Sequence, residues 1–368
     1  MKKYEVKNAM IKRKYLTWLK ESGECVQSTI DSVEKSIWKY EEFAKGADFA
    51  SFSKVQAKKF RDWLSKQKKS RGKGLISLTT QYNHLSHLRK FFSWLSGQPG
   101  YKSRVSTFDA NRLKLEKEQA QIATSTKRVK YPSVEYVKGL CASIKIENEL
   151  DMRDRALIAF HLLSAMRVAA IFSLPIGCFD LDGLIVFQEP KEGVKTKGTK
   201  TIVTTLLRFD EELLQYILAW VDFLVKEKFY DKTQPLFPRT KLGHVSDKNA
   251  CFVGKGLEPV FWKSEGPILS IFKKRTKAAE LPYYSPHKFR HAAIAESRKY
   301  CRTEEQRKAI SQNVGHKHVG TTFAYGNMDD SKVNEVVSRM RLQETDNKAE
   351  VLKNYTDDEL LDELKSRR

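Results

Sequence analysis

The stretch from Ser285 to Tyr325 constrains this chain more than any other, because its chemistry works only if distant residues meet. His287 and Arg290 stand one helical turn apart, so both side chains project from one face. Gly315-His316 follows, and Tyr325 lies nine residues beyond His316. Two cation-capable groups on one face suit an anionic ligand. A phenol nearby adds a nucleophile able to bond to phosphorus or to a carbonyl carbon.

At this spacing, with Thr321-Thr322 just ahead of Tyr325, these residues resemble the C-terminal signature of the tyrosine recombinase (phage integrase) family. The segment from Arg290 to His316 is a few residues longer than the family pattern; surface loop length costs little, and the surplus is expected around Cys301 to Gln306. Residues Arg153 to Leu174 alternate apolar and polar groups in a helix-turn-helix manner, and they resemble the family's first arginine motif, in which an apolar helix leads to an arginine and a second helix starts. Ser164-Ala165-Met166-Arg167 stands where the family has Thr-Gly-Leu-Arg, and Ala170 replaces the usual acidic residue three positions on, which bears on how Arg167 is braced. Leu174 and Asp180-Leu181-Asp182 continue the same pattern.

Leu184 to Phe187 and Thr201 to Leu206 are rich in β-branched residues and flank a basic segment, residues 191–200, which predicts a hairpin with a basic tip. The resemblance implies that a lysine on this hairpin enters the minor groove and acts as general acid. Lys191, Lys195, Lys197 and Lys200 compete for that role; alignment favours Lys197, with Lys200 second, while Lys195 and Lys200 are expected to contact DNA.

The resemblance also implies the reaction. Arg167 and Arg290 would neutralise a phosphodiester with bidentate charged forks, and His287 and His316 would hydrogen-bond its oxygens or manage the nucleophile's proton. Tyr325 would attack phosphorus, leaving a 3′-phosphotyrosyl link and a 5′ hydroxyl protonated by Lys197. No metal or cofactor is expected, and the sequence contains no Gly-x-x-x-x-Gly-Lys-Ser/Thr loop.

Charge agrees with a polyanionic partner. The net charge is +22, and residues 1–130 hold 29 basic against 12 acidic residues, so most of the excess lies in the N-terminal third. The five cysteines are scattered and odd in number, with no Cys-x-x-Cys pair, which points to reduced thiols in the cytoplasm, and no apolar run reaches membrane-spanning length.

Residues 1–104 are expected to form an all-helical, basic domain resembling the family's core-binding domain. Helices are predicted from Thr29 to Ala44, with Ser28 and Asp31 as a capping box, from Ser53 to Lys68, with Val55, Phe60, Trp63 and Leu64 inward, and from Ser77 to Leu95, with Leu78, Tyr82, Leu85, Leu88, Phe92 and Leu95 inward. The connection at residues 66–74 holds Lys66, Lys68, Lys69, Arg71 and Lys73, a mobile basic loop suited to DNA phosphates. Trp38, Phe60, Trp63, Phe91, Phe92 and Trp94 read as packing groups rather than base-stacking ones.

Residues 105–131 are expected to be a basic linker, and residues 132–345 a catalytic domain opening on a helix capped by Ser133. Residues 229–265 read as a long connection. Residues 346–368 suggest a C-terminal helix with a capping box at Thr356 to Glu359, docking either within the chain or on a neighbouring protomer. The expected fold is mainly α with a small β-sheet, two domains forming a C-shaped clamp on DNA. The expected partners are double-stranded DNA with paired half-sites and further copies of the chain, as dimers on a site and tetramers in synapsis, in the cytoplasm with the nucleoid. A type IB topoisomerase, or a DNA-binding protein that kept the fold and lost catalysis, are the alternatives to a site-specific recombinase.

Overall fold

A serine or aspartate ahead of an apolar run starts several of the helices. Ser53 accepts from the Gln56 amide, Ser77 from Thr80, Ser133 from Tyr136 and Asp210 from Leu213, each satisfying a donor that the first helical turn leaves over. The computed structural model describes residues 3–23, 25–70, 72–125, 130–245 and 251–316, and these fall into two units divided between residues 127 and 128.

The N-terminal unit comprises α1 (Lys3–Glu21), α2 (Gln27–Phe43), α3 (Lys54–Ser65), α4 (Leu78–Leu95) and the short α5 (Thr107–Ala110) and α6 (Lys117–Thr124). Its core is aromatic: Phe60, Phe91 and Phe92 are fully buried, and Phe52 stacks on Phe92 at 3.8 Å. Trp63 and Trp94 pack at the edge of this core, whereas Trp38 is half exposed, with the Lys12 ammonium 5.5 Å above its ring. Val55 and Tyr82, expected inward, face solvent.

Two further expectations for this region need correction, and one element precedes the first predicted helix. The cap of α2 is Val26, without a side-chain hydrogen bond, so Ser28 and Asp31 form no capping box. The basic start is a 19-residue helix, α1, anchored by Asn8, which donates to the Ala47 carbonyl and accepts from the Phe49 amide, and by Lys12 on Glu41. Residues 105–124 are no free linker. Val105, Ala110, Leu113, Leu115 and Ala123 are buried in the unit's core, Thr79 donates to the Ala123 carbonyl and Arg61 to that of Lys114.

The C-terminal unit is built around α8 (Glu149–Ser164), which packs against α7 (Val134–Ala142), α10 (Glu211–Asp222) and α12 (Pro286–Tyr300). From Ala156 to Ser164 every residue of α8 is buried, as expected of a helix that is apolar on all sides. The short α9 (Val168–Phe172) follows, then β1 (Phe179–Asp180), β2 (Ile185–Gln188) and β3 (Ile202–Thr205), an antiparallel sheet in that order with Ile185 opposite Thr205 and Gln188 opposite Ile202. After α10 come β4 (Arg239–Val245), β5 (Cys251–Glu258), α11 (Gly266–Ala278), α12 and α13 (Glu304–Asn313).

The hairpin β4–β5 corrects the reading of residues 229–265 as a plain connection. It is tied to α8 by Glu149, whose carboxylate accepts from the Leu257 amide at 2.6 Å and from Lys228 at 2.7 Å. Gly256, at φ +116, makes that approach possible, because a Cβ there would lie 2.5 Å from the Glu149 oxygen. The surplus expected around Cys301 to Gln306 is half helical: α13 starts at Glu304, with Thr303 and Gln306 forming a capping box. The predicted C-terminal helix lies outside the described residues, among which no helix is long and apolar enough to cross a membrane.

Inside α8, His161 is fully buried, its Nδ1 3.2 Å from the Leu157 carbonyl and its ring edge-on to Phe272. Burial pushes its pKa down from 6.5 to about 4. Above the unfolded value both states are neutral; below it the unfolded chain takes up a proton that the folded chain refuses, and stability falls by up to about 1.4 kcal/mol per pH unit. The loss stops growing near the folded value. His161→Leu should therefore flatten the decline of the full chain's denaturation midpoint between pH 6.5 and pH 4.5, while changing its value at pH 8 much less.

Candidate active site

His287, Arg290 and His316 converge because one buried arginine holds two helix ends together. Ser285 and Pro286 start α12, placing His287 in its first turn and Arg290 one turn later. The Tyr136 hydroxyl donates to the Pro282 carbonyl at 2.6 Å, fixing the segment that leads into this helix. Arg290 is 2% exposed; its guanidinium donates to the Ala165 carbonyl and, at 2.6 Å, to that of Val314. Ala165, in left-handed conformation at φ +51, ends α8 two residues before Arg167, which caps α9. Val314 ends α13 two residues before His316.

The Gly-His pair has its own local logic. The Gly315 amide donates to the Gln312 carbonyl at 2.8 Å and the His316 amide to that of Ser311 at 2.9 Å, the two bonds of a Schellman motif. Gly315 has φ +65, and a Cβ there would come within 2.6 Å of Ile202 Cδ1. A residue with no side chain is required on both counts, and His316 is the first residue beyond the turn.

Electrostatics report the same convergence. Burial lowers the pKa of His316 to about 4, and the next causes are the charges of Arg290 and Arg167. His287 is also lowered, by burial and then by Arg290, Arg167 and Lys288. Arg167, His287, Arg290 and His316, from three separate segments, are thus within electrostatic reach of one another. At neutral pH the imidazoles are uncharged and able to donate or accept a proton.

His291 belongs to this cluster and was not singled out from the sequence. Its ring meets that of His287 at 4.8 Å and 84°, and its pKa is lowered to about 4 by burial and then by His287. The signal was available, since His287 and His291 are four residues apart on one helical face. Ala170 is 1% exposed and takes the place of a brace for Arg167; no salt bridge to Arg167 is found among the described residues.

The lysines are placed differently. Lys197 lies exposed in a turn, Thr196 to Thr199, between β2 and β3. The preceding Lys195 is tethered, its amide donating to Ser173 at 2.8 Å and its ammonium lying 4.9 Å over Phe172. Lys191 pairs with Glu189, and Lys200 is exposed. In the N-terminal unit Lys66, Lys68, Lys69 and Lys73 are exposed, but their connection is a closed turn rather than a loose loop: Lys69 donates to Gly74 and Ile76 to Gln67. Arg71, Thr321, Thr322 and Tyr325 lie outside the described residues. Among those described, no three His, Cys, Asp or Glu side chains converge as a metal site.

Comparison with known proteins fits this geometry. The model of the phage integrase family matches residues 134–332. The tyrosine recombinase XerC of Caldanaerobacter subterraneus subsp. tengcongensis is 26% identical over 262 residues, covering 71% of this chain and 62% of the relative, so less than two thirds of that protein is spanned. Among solved structures, the XerH site-specific recombinase bound to palindromic difH substrate aligns with TM-score 0.59 at 16% identity, covering 84% of this chain and 79% of that one. The Tn1549 transposon integrase in complex with a circular intermediate DNA aligns with TM-score 0.57 at 15% identity, covering 89% and 99%.

The Schellman turn makes a test. Gly315→Ala would combine left-handed strain of about 1–2 kcal/mol with the Ile202 contact, and the expected result is a lower thermal midpoint with displaced His316. Adding Ile202→Ala should restore only part of the loss, because the backbone strain remains. Full recovery in the double variant would assign the whole effect to packing.

Proposed function

Since this chain belongs to the phage integrase family, we propose that it is a site-specific DNA recombinase that cuts and rejoins strands through a 3′-phosphotyrosyl intermediate. The observation that carries this reading is the meeting of Arg167, His287, Arg290 and His316 around the two carbonyls held by Arg290.

A phosphodiester is an anion, and attack at phosphorus builds further charge on its non-bridging oxygens. Arg167 and Arg290 meet that charge, and the start of α12 adds its backbone dipole. His287 and His316 supply hydrogen bonds to the same oxygens and accept protons as the reaction proceeds. Tyr325 is the nucleophile. A free phenol has a pKa of about 10, so its proton must leave during attack, and neutral imidazoles beside two guanidinium groups lower that cost. Lys197 protonates the departing 5′ oxygen. The energy of the broken bond stays in the tyrosyl link, so a second 5′ hydroxyl reverses the step without ATP.

The partner is double-stranded DNA with paired half-sites, bound by the chain as dimers that pair into a tetramer. The N-terminal unit, with its surplus of positive charge, tracks the phosphate backbone, using the turn of Lys66, Lys68, Lys69, Arg71 and Lys73. Lys195 and Lys200 contact phosphates beside the reacting one. The reaction belongs in the cytoplasm, where the DNA is.

Covalent capture tests this reading. The native chain and Tyr325→Phe are incubated with fragmented host DNA in EDTA, denatured, and the attached DNA sequenced. The expected result is a metal-independent adduct from the native chain alone, with recurring ends that report the site. Binding by both chains with an adduct from neither would favour a non-catalytic DNA-binding protein.

A further inference from the structure

The last residue of α13 makes hydrogen bonds that the reaction described above does not use. The Asn313 side chain accepts from the Thr205 amide at 2.7 Å and donates to the Thr205 carbonyl at 3.0 Å. It thereby pairs with the open edge of β3 as another strand would, using a side-chain amide in place of a peptide group. The Asn313 main-chain carbonyl, left over at the helix end, accepts from the hydroxyl of Thr204 at 2.8 Å. Thr204 is fully buried and in turn accepts from Gln188 of β2 at 2.7 Å.

Strand β3 is the one that receives the chain from the Lys197 turn. Its first residue, Ile202, packs against Gly315, and its last two, Thr204 and Thr205, are held by Asn313. The strand that carries the Lys197 turn is therefore fastened at both ends to the turn that carries His316. On the reading of the chain as a tyrosine recombinase, those turns bring the leaving-group acid and a phosphate ligand to one phosphodiester.

We infer that Asn313 is a positioning residue that fixes the Lys197 turn against the His316 turn, and so sets the reach of the acid to the leaving 5′ oxygen. Asparagine suits the place because it offers one donor and one acceptor at the spacing of a peptide unit. Aspartate keeps the acceptor but turns a carboxylate oxygen toward the Thr205 carbonyl; leucine keeps the bulk and loses both bonds.

The test uses the full chain and a nicked synthetic duplex carrying the ends recovered by covalent capture. One version has the ordinary 5′-bridging oxygen and the other a 5′-bridging sulfur, whose thiolate leaves without a proton. Asn313→Leu should slow adduct formation on the oxygen substrate by about 10- to 100-fold and on the sulfur substrate several-fold less, at a temperature well below its measured unfolding midpoint. Asn313→Asp should fall between leucine and the native chain. Equal slowing on the two substrates, or no slowing on either, would overturn the assignment while native cleavage still stands. Failure of the native chain to form an adduct with either substrate would instead remove the recombinase reading on which the inference rests.

Discussion

A buried guanidinium bonded to two helix ends is the interaction on which the rest of the site depends. Arg290 reaches the carbonyls of Ala165 and Val314, each exposed by the termination of a helix. Those carbonyls have no later turn to bond them, and leaving a buried acceptor unpaired costs about 1–3 kcal/mol. A planar fork can serve two acceptors at once; an ammonium on a flexible stem would not fix both directions. Ala165 holds a left-handed conformation that glycine would adopt freely. The strain is tolerated because α8 must end there for Arg167 to begin the next helix.

This arrangement gathers the permanent positive charges of Arg167 and Arg290 in one largely buried place. The imidazoles make that possible. With His291 and His316 lowered to about 4 and His287 lowered as well, none adds its own charge at neutral pH. Elsewhere in the unit buried arginines are balanced conventionally: Arg275 meets Asp151 at 2.6 Å and Asp154 at 2.7 Å, and Arg153 also meets Asp154. Acidic partners bind α8 to α11 but are not found beside Arg167 among the described residues.

The candidate site residues His287, Arg290 and His316 were legible in the sequence because their spacing is fixed by local geometry: one helical turn from His287 to Arg290, and one turn of chain from the end of α13 to His316. Helices α3, α4 and α7 were legible for the same reason, an apolar stripe behind a capping side chain. What escaped notice lacked a period. Val105, Ala110, Leu113, Leu115 and Ala123 are buried at irregular intervals, so the stretch reads as a linker although it completes the N-terminal core. In α1 the dense lysines masked the buried series Asn8, Tyr15 and Leu19, and in β4–β5 glycines and lysines diluted the β-branched signal. Asn313 could not be read from sequence at all, because its role depends on a strand edge more than a hundred residues away.

The depressed imidazoles also respond to the charge around them. Their low pKa values have two main sources, burial first and then the nearby guanidinium charges. A phosphodiester entering the pocket cancels part of the second source, so proton affinity at His287 and His316 rises as the anion binds. Anion binding and proton affinity at these histidines are therefore linked by the same charges.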